Sequence, residues 1–253
     1  MNLFITLYFF LLGITLGSFY NVVGMRIPVG ESIVRPRSHC TTCNRDLGVI
    51  DLIPVFSYLF LRGKCRGCKT RISPLYPFVE CMTGLLFVFS FLHFGWSGET
   101  IVSMTMMSLF AIIFVSDLRY MLIPDKVLLF FLPLFLILRF IFPLNPWWDM
   151  FVGAVVGFCL LLFVAIVSRG GMGGGDIKLF GVLGIVLGWK GILLTFFLSS
   201  LFGALVGGIG LLTGKVERGK PIPFGPFIVM GAITAYFFGE SLVEWYISLI
   251  NKG

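Results

Sequence analysis

Three aspartates of this sequence stand at the edges of long apolar runs, where a charge is costly. Asp117 closes one run and Asp125 starts the next, while Asp176 follows the glycine-rich stretch 171–175. Carboxylates at membrane depth are rare and functional, so each of the three is a candidate. Two carboxyl groups held together share one proton, and the ionised one can take a proton from water while the neutral one polarises a carbonyl. These residue types suit hydrolysis of a peptide bond by an activated water molecule.

The glycines before Asp176 have a use of their own. Gly173 and Gly175 lack a Cβ, so the backbone can bend there and let another chain approach closely. A flexible connector, or close packing between helices, would also need small residues. Lys178 follows two residues after the aspartate. Glycines directly before an intramembrane aspartate favour a role in binding an extended substrate.

A long polar loop contains four cysteines in two Cys-x-x-Cys pairs, Cys40 with Cys43 and Cys65 with Cys68. Two such pairs separated by about twenty residues are typical of a tetrahedral zinc site with four thiolate ligands. Two disulfides are the alternative, but structural disulfides rarely persist in the reducing cytosol. A closed four-thiolate sphere predicts a structural metal, which supplies stability that the weakly apolar loop lacks.

The overall composition is that of a polytopic membrane protein. The chain has 253 residues, of which 58% are hydrophobic and 12% charged, and its mean hydropathy is +1.01. The net charge of +7 does not indicate a nucleic-acid partner, because the basic residues lie in short loops between apolar runs. In a membrane protein that pattern records orientation in the lipid bilayer.

The apolar runs predict about eight transmembrane helices in an all-α fold. A helix needs about 20 residues to cross the hydrocarbon. The run 179–212 is too long for one crossing, and the turn signal at 188–191 divides it in two. The first run has no positive n-region and is too long for a signal peptide, so we expect a retained helix. The runs are 1–24, 75–94, 101–116, 127–142, 150–168, 179–212 and 223–250.

The basic residues predict the orientation, because loops rich in Lys and Arg stay in the cytoplasm. Three of the 19 Lys and Arg residues belong to one set of alternate loops, namely Arg139, Lys190 and Lys252. The other sixteen belong to the opposite set: Arg26, Arg35, Arg37, Arg45, Arg62, Lys64, Arg66, Lys69, Arg71, Arg119, Lys126, Arg169, Lys178, Lys215, Arg218 and Lys220. We therefore expect both termini outside, and the loop 26–74 and all three candidate aspartates at the cytoplasmic face.

Two domains are expected from this organisation. Residues 1–80 form the first helix with a small cytoplasmic four-cysteine domain, and residues 81–253 form a compact helical bundle. Glu80 lies in an apolar span and is a candidate for contact with a substrate amine or a cofactor. A buried partner for a loop arginine is an equally good interpretation of this residue.

Several motifs occur in an order that points to one family. They are Gly17–Val23 with Arg26–Pro28, the cysteine-rich stretch 36–77 with Glu80, the segment Asp117–Asp125, the run Gly173–Asp176 and the stretch Pro223–Phe227. Together they resemble the bifunctional type IV prepilin peptidases, also called leader peptidase/N-methyltransferases. The run ending at Asp176 also resembles the Gly-x-Gly-Asp motif of presenilin-like intramembrane proteases.

The resemblance implies residue roles and an activity. It makes Asp117 and Asp176 catalytic and Asp125 supporting, a distinction that the residues alone do not make. Family members of the bacterial inner membrane cut the short basic leader of type IV prepilins and type II secretion pseudopilins after a glycine. They then methylate the new amine with S-adenosylmethionine. The chain has no Rossmann-type Gly-x-Gly-x-x-Gly, so the cofactor site is unusual or the chain only cleaves; the intact cysteines favour both activities.

Two other classes of protein use intramembrane acids or cysteine loops. A transporter or channel would bind ions or protons near the bilayer midplane and would show repeated halves. A zinc-anchored assembly protein would need none of the aspartates. The expected clustering of the acids at one face, without an internal repeat, favours the hydrolase.

Overall fold

The protein is a bundle of helices. The computed structural model describes residues 3–168, 171–214 and 222–250. In these segments the chain forms no β-strand and eight α-helices: α1 Leu3–Arg26, α2 Phe56–Phe60, α3 Leu75–Phe94, α4 Gly98–Tyr120, α5 Asp125–Ile141, α6 Asp149–Val167, α7 Gly174–Leu212 and α8 Gly225–Ile250. Five basic residues used for the orientation lie outside the described residues, namely Arg169, Lys215, Arg218, Lys220 and Lys252. Met1 and Asn2 of the first expected span also lie outside them.

Six of the described helices are long and apolar enough to cross a membrane: α1, α3, α4, α6, α7 and α8. The all-helical class is thus confirmed for the described residues, with six candidate membrane spans. Helix α5 is short, at 17 residues, and α7 is very long, at 39 residues. A straight helix of that length would measure about 58 Å, twice the thickness of the hydrocarbon core of a bilayer.

Helix α7 is a hairpin, because Gly188 breaks it. Gly188 has φ 68° and ψ 178°, a backbone conformation that is essentially restricted to glycine. The rings of Phe180 and Phe196 lie 6.4 Å apart, whereas a straight helix would separate these positions by about 24 Å. The segments 174–187 and 189–212 therefore fold back on each other, and the turn expected at 188–191 is present.

Side chains from two other helices satisfy the backbone groups that the break exposes. The Asp149 carboxylate of α6 accepts a hydrogen bond from the N–H of Trp189, at 3.4 Å. Arg139 of α5 is buried and donates two hydrogen bonds, of 2.7 and 3.1 Å, to the Val186 carbonyl. Unsatisfied backbone groups are costly in an apolar environment, so these contacts stabilise the hairpin turn.

The chain divides into two compact units, Met1–Val115 and Ser116–Gly253, and the boundary falls inside α4. In the first unit α1 and α3 pack at very close range. A Cβ on Gly13 would lie 2.7 Å from the Cα of Gly84, and a Cβ on Gly17 would lie 2.9 Å from the Cα of Glu80. Small residues four positions apart permit this approach of two helix backbones.

In the second unit, α7 is the central element and contacts α5, α6 and α8. Gly153 of α6 lies directly against Gly184 of α7, and Gly231 of α8 lies against the Ser199 side chain of α7. These backbone-level contacts leave little freedom for the helices to slide. They hold the first residues of α7 and α8 in place, where two candidate site residues are found.

Candidate active site

Asp117 lies in the last turn of α4 and caps the start of α8. Its side chain is buried, and its Oδ2 accepts a hydrogen bond of 2.7 Å from the backbone N–H of Gly225. Gly225 is the first residue of α8, so its N–H has no acceptor within the helix. The positive end of a helix favours a carboxylate at this position. A Cβ on Gly225 would lie 2.7 Å from the same oxygen, so only glycine allows this approach.

Asp176 occupies an equivalent place at the start of α7. It is also buried, and its Oδ2 accepts a hydrogen bond of 3.2 Å from the N–H of Gly173, the residue before the helix. A Cβ on Gly175 would lie 2.8 Å from the Cβ of Ile123. The two glycines therefore serve different purposes: Gly173 supplies a donor, and Gly175 admits the segment that precedes α5.

The two buried carboxyl groups have the same kind of surroundings. Each has one oxygen held by a backbone N–H at the start of a helix. Within the described residues the second oxygen of each makes no hydrogen bond, which leaves it available to water. Two carboxyl groups of this kind are the residue types that an aspartyl hydrolase uses.

Asp125 differs from the two buried aspartates in its exposure and its partner. It forms a salt bridge of 2.7 Å with Lys178, and both side chains are more than half exposed. An exposed ion pair of this kind contributes about 0–1 kcal/mol to stability. Burial and a backbone hydrogen bond therefore distinguish Asp117 and Asp176 from Asp125.

The four cysteines of the polar loop form one cluster. The sulfur atoms of Cys40, Cys43, Cys65 and Cys68 all lie within 4.8 Å of one another, and none is in a disulfide. A tetrahedron with Zn–S bonds of about 2.3 Å has sulfur atoms about 3.8 Å apart. The Sγ atoms of Cys40 and Cys68 are 3.7 Å apart. The donor set and its spacing therefore fit a four-thiolate metal site.

The two Cys-x-x-Cys turns have the same backbone geometry. The N–H of Asn44 donates to the Cys40 carbonyl, and the N–H of Lys69 donates to the Cys65 carbonyl. Both donors have a positive φ, 53° and 62°. The Thr70 hydroxyl oxygen lies 3.3 Å from the Cys68 sulfur.

A buried carboxylate ties the two turns together. Asp51 lies 3.1 Å from the guanidinium of Arg45 and 3.0 Å from that of Arg66. Arg45 belongs to the first turn and Arg66 to the second. The Asp51 side chain is only 6% exposed, so this contact is better shielded from solvent than a surface ion pair. It reinforces the arrangement that brings the four sulfur atoms together.

Glu80 is buried in α3 and holds the polar loop through a backbone contact. Its Oε2 accepts a hydrogen bond of 2.7 Å from the N–H of Val55. Glu80 is therefore bonded to a backbone amide of the loop. One of the two interpretations of the sequence was a bond to the side chain of a loop arginine. Val55 has φ 63°, a strained value for a β-branched residue, so the loop is held tightly here.

Two contacts of these polar residues were not foreseen from the sequence. The stretch 223–227 was singled out only by its resemblance to the family. The glycine between Phe224 and Pro226, at the start of a helix, was a local indication that this backbone position needs a residue without a side chain. Asn21 of α1 was named only as part of the motif Gly17–Val23, with no role of its own. It is buried and donates to the Tyr76 carbonyl at 3.1 Å.

The chain is similar to known proteins along almost its whole length. Residues 11–94 match the bacterial peptidase A24 N-terminal domain, and residues 104–208 match the type IV leader peptidase family. A prepilin leader peptidase/N-methyltransferase of Bacillus subtilis (strain 168) is 45% identical over 240 residues, which are 95% of this chain and 97% of that protein. Proteins of the same name from Aeromonas salmonicida (strain A449) and Pseudomonas aeruginosa are 35% and 34% identical, over 95% and 94% of this chain and 93% and 91% of their own lengths.

No solved structure is significantly similar to the chain. The similarity to the curated relatives nevertheless includes both the cysteine loop and the segments that carry Asp117 and Asp176. The resemblance drawn from the motifs is therefore confirmed, and the chain belongs to the type IV leader peptidase family.

Proposed function

We propose that this chain cleaves the short basic leader of type IV prepilins or pseudopilins after a glycine and then N-methylates the new terminal residue. The names of its relatives support both activities. One observation carries the assignment of the peptidase site: Asp117 and Asp176 are both buried, and each is held by one backbone N–H at the start of a helix. A transporter function has no comparable support.

Cleavage follows from the arrangement of these two carboxyl groups. The ionised carboxylate takes a proton from a water molecule, whose oxygen forms a bond to the scissile carbonyl carbon. The neutral carboxyl group donates a hydrogen bond to the carbonyl oxygen and stabilises the negative charge that develops there. The C–N bond then breaks, and the leaving amine takes up a proton. The N–H groups of Gly225 and Gly173 hold the carboxyl groups throughout.

The substrate strand would lie along the glycine segment before α7. Gly173 is exposed, and Gly174 has open space where a Cβ would stand. An extended peptide can therefore approach the backbone directly beside Asp176. The ion pair of Lys178 with Asp125 lies at the same end of α7 and α5, and we assign it a supporting role in substrate binding.

Eight membrane crossings follow if α5 counts as a short span and the α7 hairpin as two. The charge distribution then places the aspartates at the cytoplasmic face of the inner membrane. A leader rich in basic residues stays on that side while the apolar helix of a pilin lies in the bilayer. The scissile bond would then be at the depth of Asp117 and Asp176.

The N-terminal part of the chain would serve the second activity. Cys40, Cys43, Cys65 and Cys68 would hold a structural Zn²⁺, for which their spacing is suitable. S-adenosylmethionine supplies the methyl group in this chemistry. We propose residues 1–80 as the domain associated with methyl transfer and residues 81–253 as the peptidase bundle.

Purified protein incubated with a prepilin tests the peptidase site. We expect Asp117→Asn and Asp176→Asn each to lower the cleavage rate at least about 10³-fold, since each residue is required for the same step. Asn has nearly the same shape and keeps a carbonyl oxygen for the backbone donor, so folding is preserved. Cleavage at the normal rate by either variant would exclude the aspartyl mechanism proposed for this pair.

A further inference from the structure

A second buried polar cluster lies in the first unit, where α1 packs on α3. The two helices run antiparallel in a regular register: Gly13 lies against Gly84, Gly17 against Glu80, and Asn21 against Tyr76. Asn21 is 1% exposed and Glu80 is 7% exposed. Since Tyr76 and Glu80 are one helical turn apart on α3, Asn21 and Glu80 occupy adjacent positions along the line of contact between the two helices.

Only one end of the Asn21 side-chain amide has a hydrogen-bond partner. Its Nδ2 donates a hydrogen bond to the Tyr76 carbonyl. Since a carbonyl can only accept, the nitrogen end of the amide must face Tyr76 and the oxygen end must face away from it. The Oδ1 is buried and has no hydrogen-bond partner among the described residues. Buried polar atoms are nearly always paired in native proteins, so an orphaned oxygen indicates a missing donor.

Glu80 adds a carboxylate to the same place. In the described chain its carboxylate accepts a hydrogen bond from a neutral group, the N–H of Val55. A buried carboxylate without a cation beside it is unfavourable. The cluster therefore combines a negative charge with an unpaired acceptor one helical turn away. A primary ammonium group, which carries a positive charge and three N–H donors, satisfies both.

We propose that Asn21 and Glu80 form a binding site for a primary ammonium group. The inference rests on the proposed methyl transfer, which brings two such groups to the enzyme. One is the α-amine that leader cleavage exposes on the mature peptide. The other is the amino group on the methionine part of S-adenosylmethionine. Both amino groups present the same chemistry to Glu80 and Asn21, and binding measurements distinguish the two ligands.

The experiment measures the binding of ligands to the full-length chain in nanodiscs, without any catalysed reaction. Three ligands are compared: a mature pilin peptide with a free N-terminus, the same peptide N-acetylated, and S-adenosylhomocysteine. The variants are Glu80→Gln and Asn21→Leu. Glutamine keeps a carbonyl oxygen for the Val55 N–H, so Glu80→Gln removes the charge without releasing the loop. Leucine matches the size of Asn21 and removes its oxygen.

Thr83→Val is the matched control. Thr83 is buried on the same face of α3, and its hydroxyl is already bonded to the Val79 carbonyl of its own helix at 2.8 Å. The substitution perturbs the packing of α1 on α3 without touching the cluster. We expect this variant to bind all three ligands as the wild type does.

We expect both cluster variants to bind one of the two amine ligands about tenfold more weakly, the loss expected for a charged hydrogen bond. Weaker binding of the free-amine peptide, with the acetylated peptide unchanged, identifies the peptide amine as the occupant. Weaker binding of S-adenosylhomocysteine alone identifies the methyl donor. Unchanged binding of both, or equal weakening with the free and the acetylated peptide, overturns the proposal.

The proposed function is tested separately in the same preparations. The peptide is supplied already cut, so a wrong assignment of Asp117 or Asp176 does not affect the binding result. Leader cleavage by Thr83→Val should equal that of the wild type. Absence of methyl transfer by the wild type would refute the methyltransferase half of the proposed function, while the binding data would still decide the ammonium site.

Discussion

The carboxylate of Asp117 accepts a 2.7 Å hydrogen bond from the backbone N–H of Gly225, across 108 residues of sequence. This contact joins the end of α4 to the start of α8. It uses a donor that every helix start leaves free, and it requires a residue without a Cβ. The position of one proposed catalytic group thus depends on a glycine that has no chemistry of its own.

Gly225→Ala should therefore impair cleavage without removing any reactive group. The added Cβ would lie 3.0 Å or less from three atoms of the Asp117 side chain, so this carboxyl group must move. A displacement of about 1 Å in an active site can cost about 10²-fold in rate. The measurement is the rate of leader cleavage. Gly208→Ala is the control, because a Cβ there has open space; equal rates for the two variants would contradict the positioning role.

Asp125→Asn should leave most of the peptidase activity intact. The substitution removes the exposed ion pair with Lys178, which is worth about 0–1 kcal/mol. We expect the cleavage rate to fall less than about tenfold, because a loss of binding energy of this size changes a rate by less than that factor. The comparison is with Asp117→Asn under the same conditions. A loss with Asp125→Asn as large as that with Asp117→Asn would mean that the buried pair has been assigned wrongly.

Loss of thiolates should release metal from the cysteine cluster. We expect the wild type to contain about one zinc ion per chain, and Cys40→Ser combined with Cys65→Ser to contain none, because two of four ligands are lost. Elemental analysis of the purified proteins measures this directly. Cys159→Ser is the control, since Cys159 is outside the cluster. An unchanged zinc content in the double variant would refute the four-thiolate site.

Gly188→Ala should destabilise the second unit. The alanine would have to adopt φ 68° and ψ 178°, at a cost of about 1–3 kcal/mol, and its Cβ would overlap the Asp149 carboxylate. We expect a lower thermal unfolding midpoint in nanodiscs. Asp149→Asn keeps an oxygen for the Trp189 N–H and should shift the midpoint less. A midpoint for Gly188→Ala equal to that of the wild type would show that the hairpin turn does not need glycine.

Much of the fold was predictable because the relevant signals are local. A hydrophobic run of sufficient length predicts a spanning helix whatever its neighbours are. The turn inside α7 was signalled by two glycines around Trp189 and Lys190. Spacing alone predicted the grouping of Cys40, Cys43, Cys65 and Cys68, because a Cys-x-x-Cys turn directs both sulfur atoms to the same side.

The contacts of the site were not predictable in this way. Glu80 was recognisable as a costly charge, but its bond to the strained amide of Val55 depends on how the loop returns to α3. The orphaned oxygen of Asn21 depends on the register between α1 and α3. Hydropathy contains no information about register, since a shift of one turn leaves each run equally apolar.

The sequence by itself therefore determined the membrane-spanning helical class, the cysteine cluster and a set of three aspartates. Only the tertiary structure decided what each of these aspartates contacts. Buried Asp117 and Asp176 accept hydrogen bonds from the N–H groups of Gly225 and Gly173, whereas Asp125 has an exposed partner in Lys178. The reason is physical. The free-energy cost of burying a charge identifies each candidate aspartate separately along the sequence, whereas the contacts of an aspartate depend on how distant helices pack.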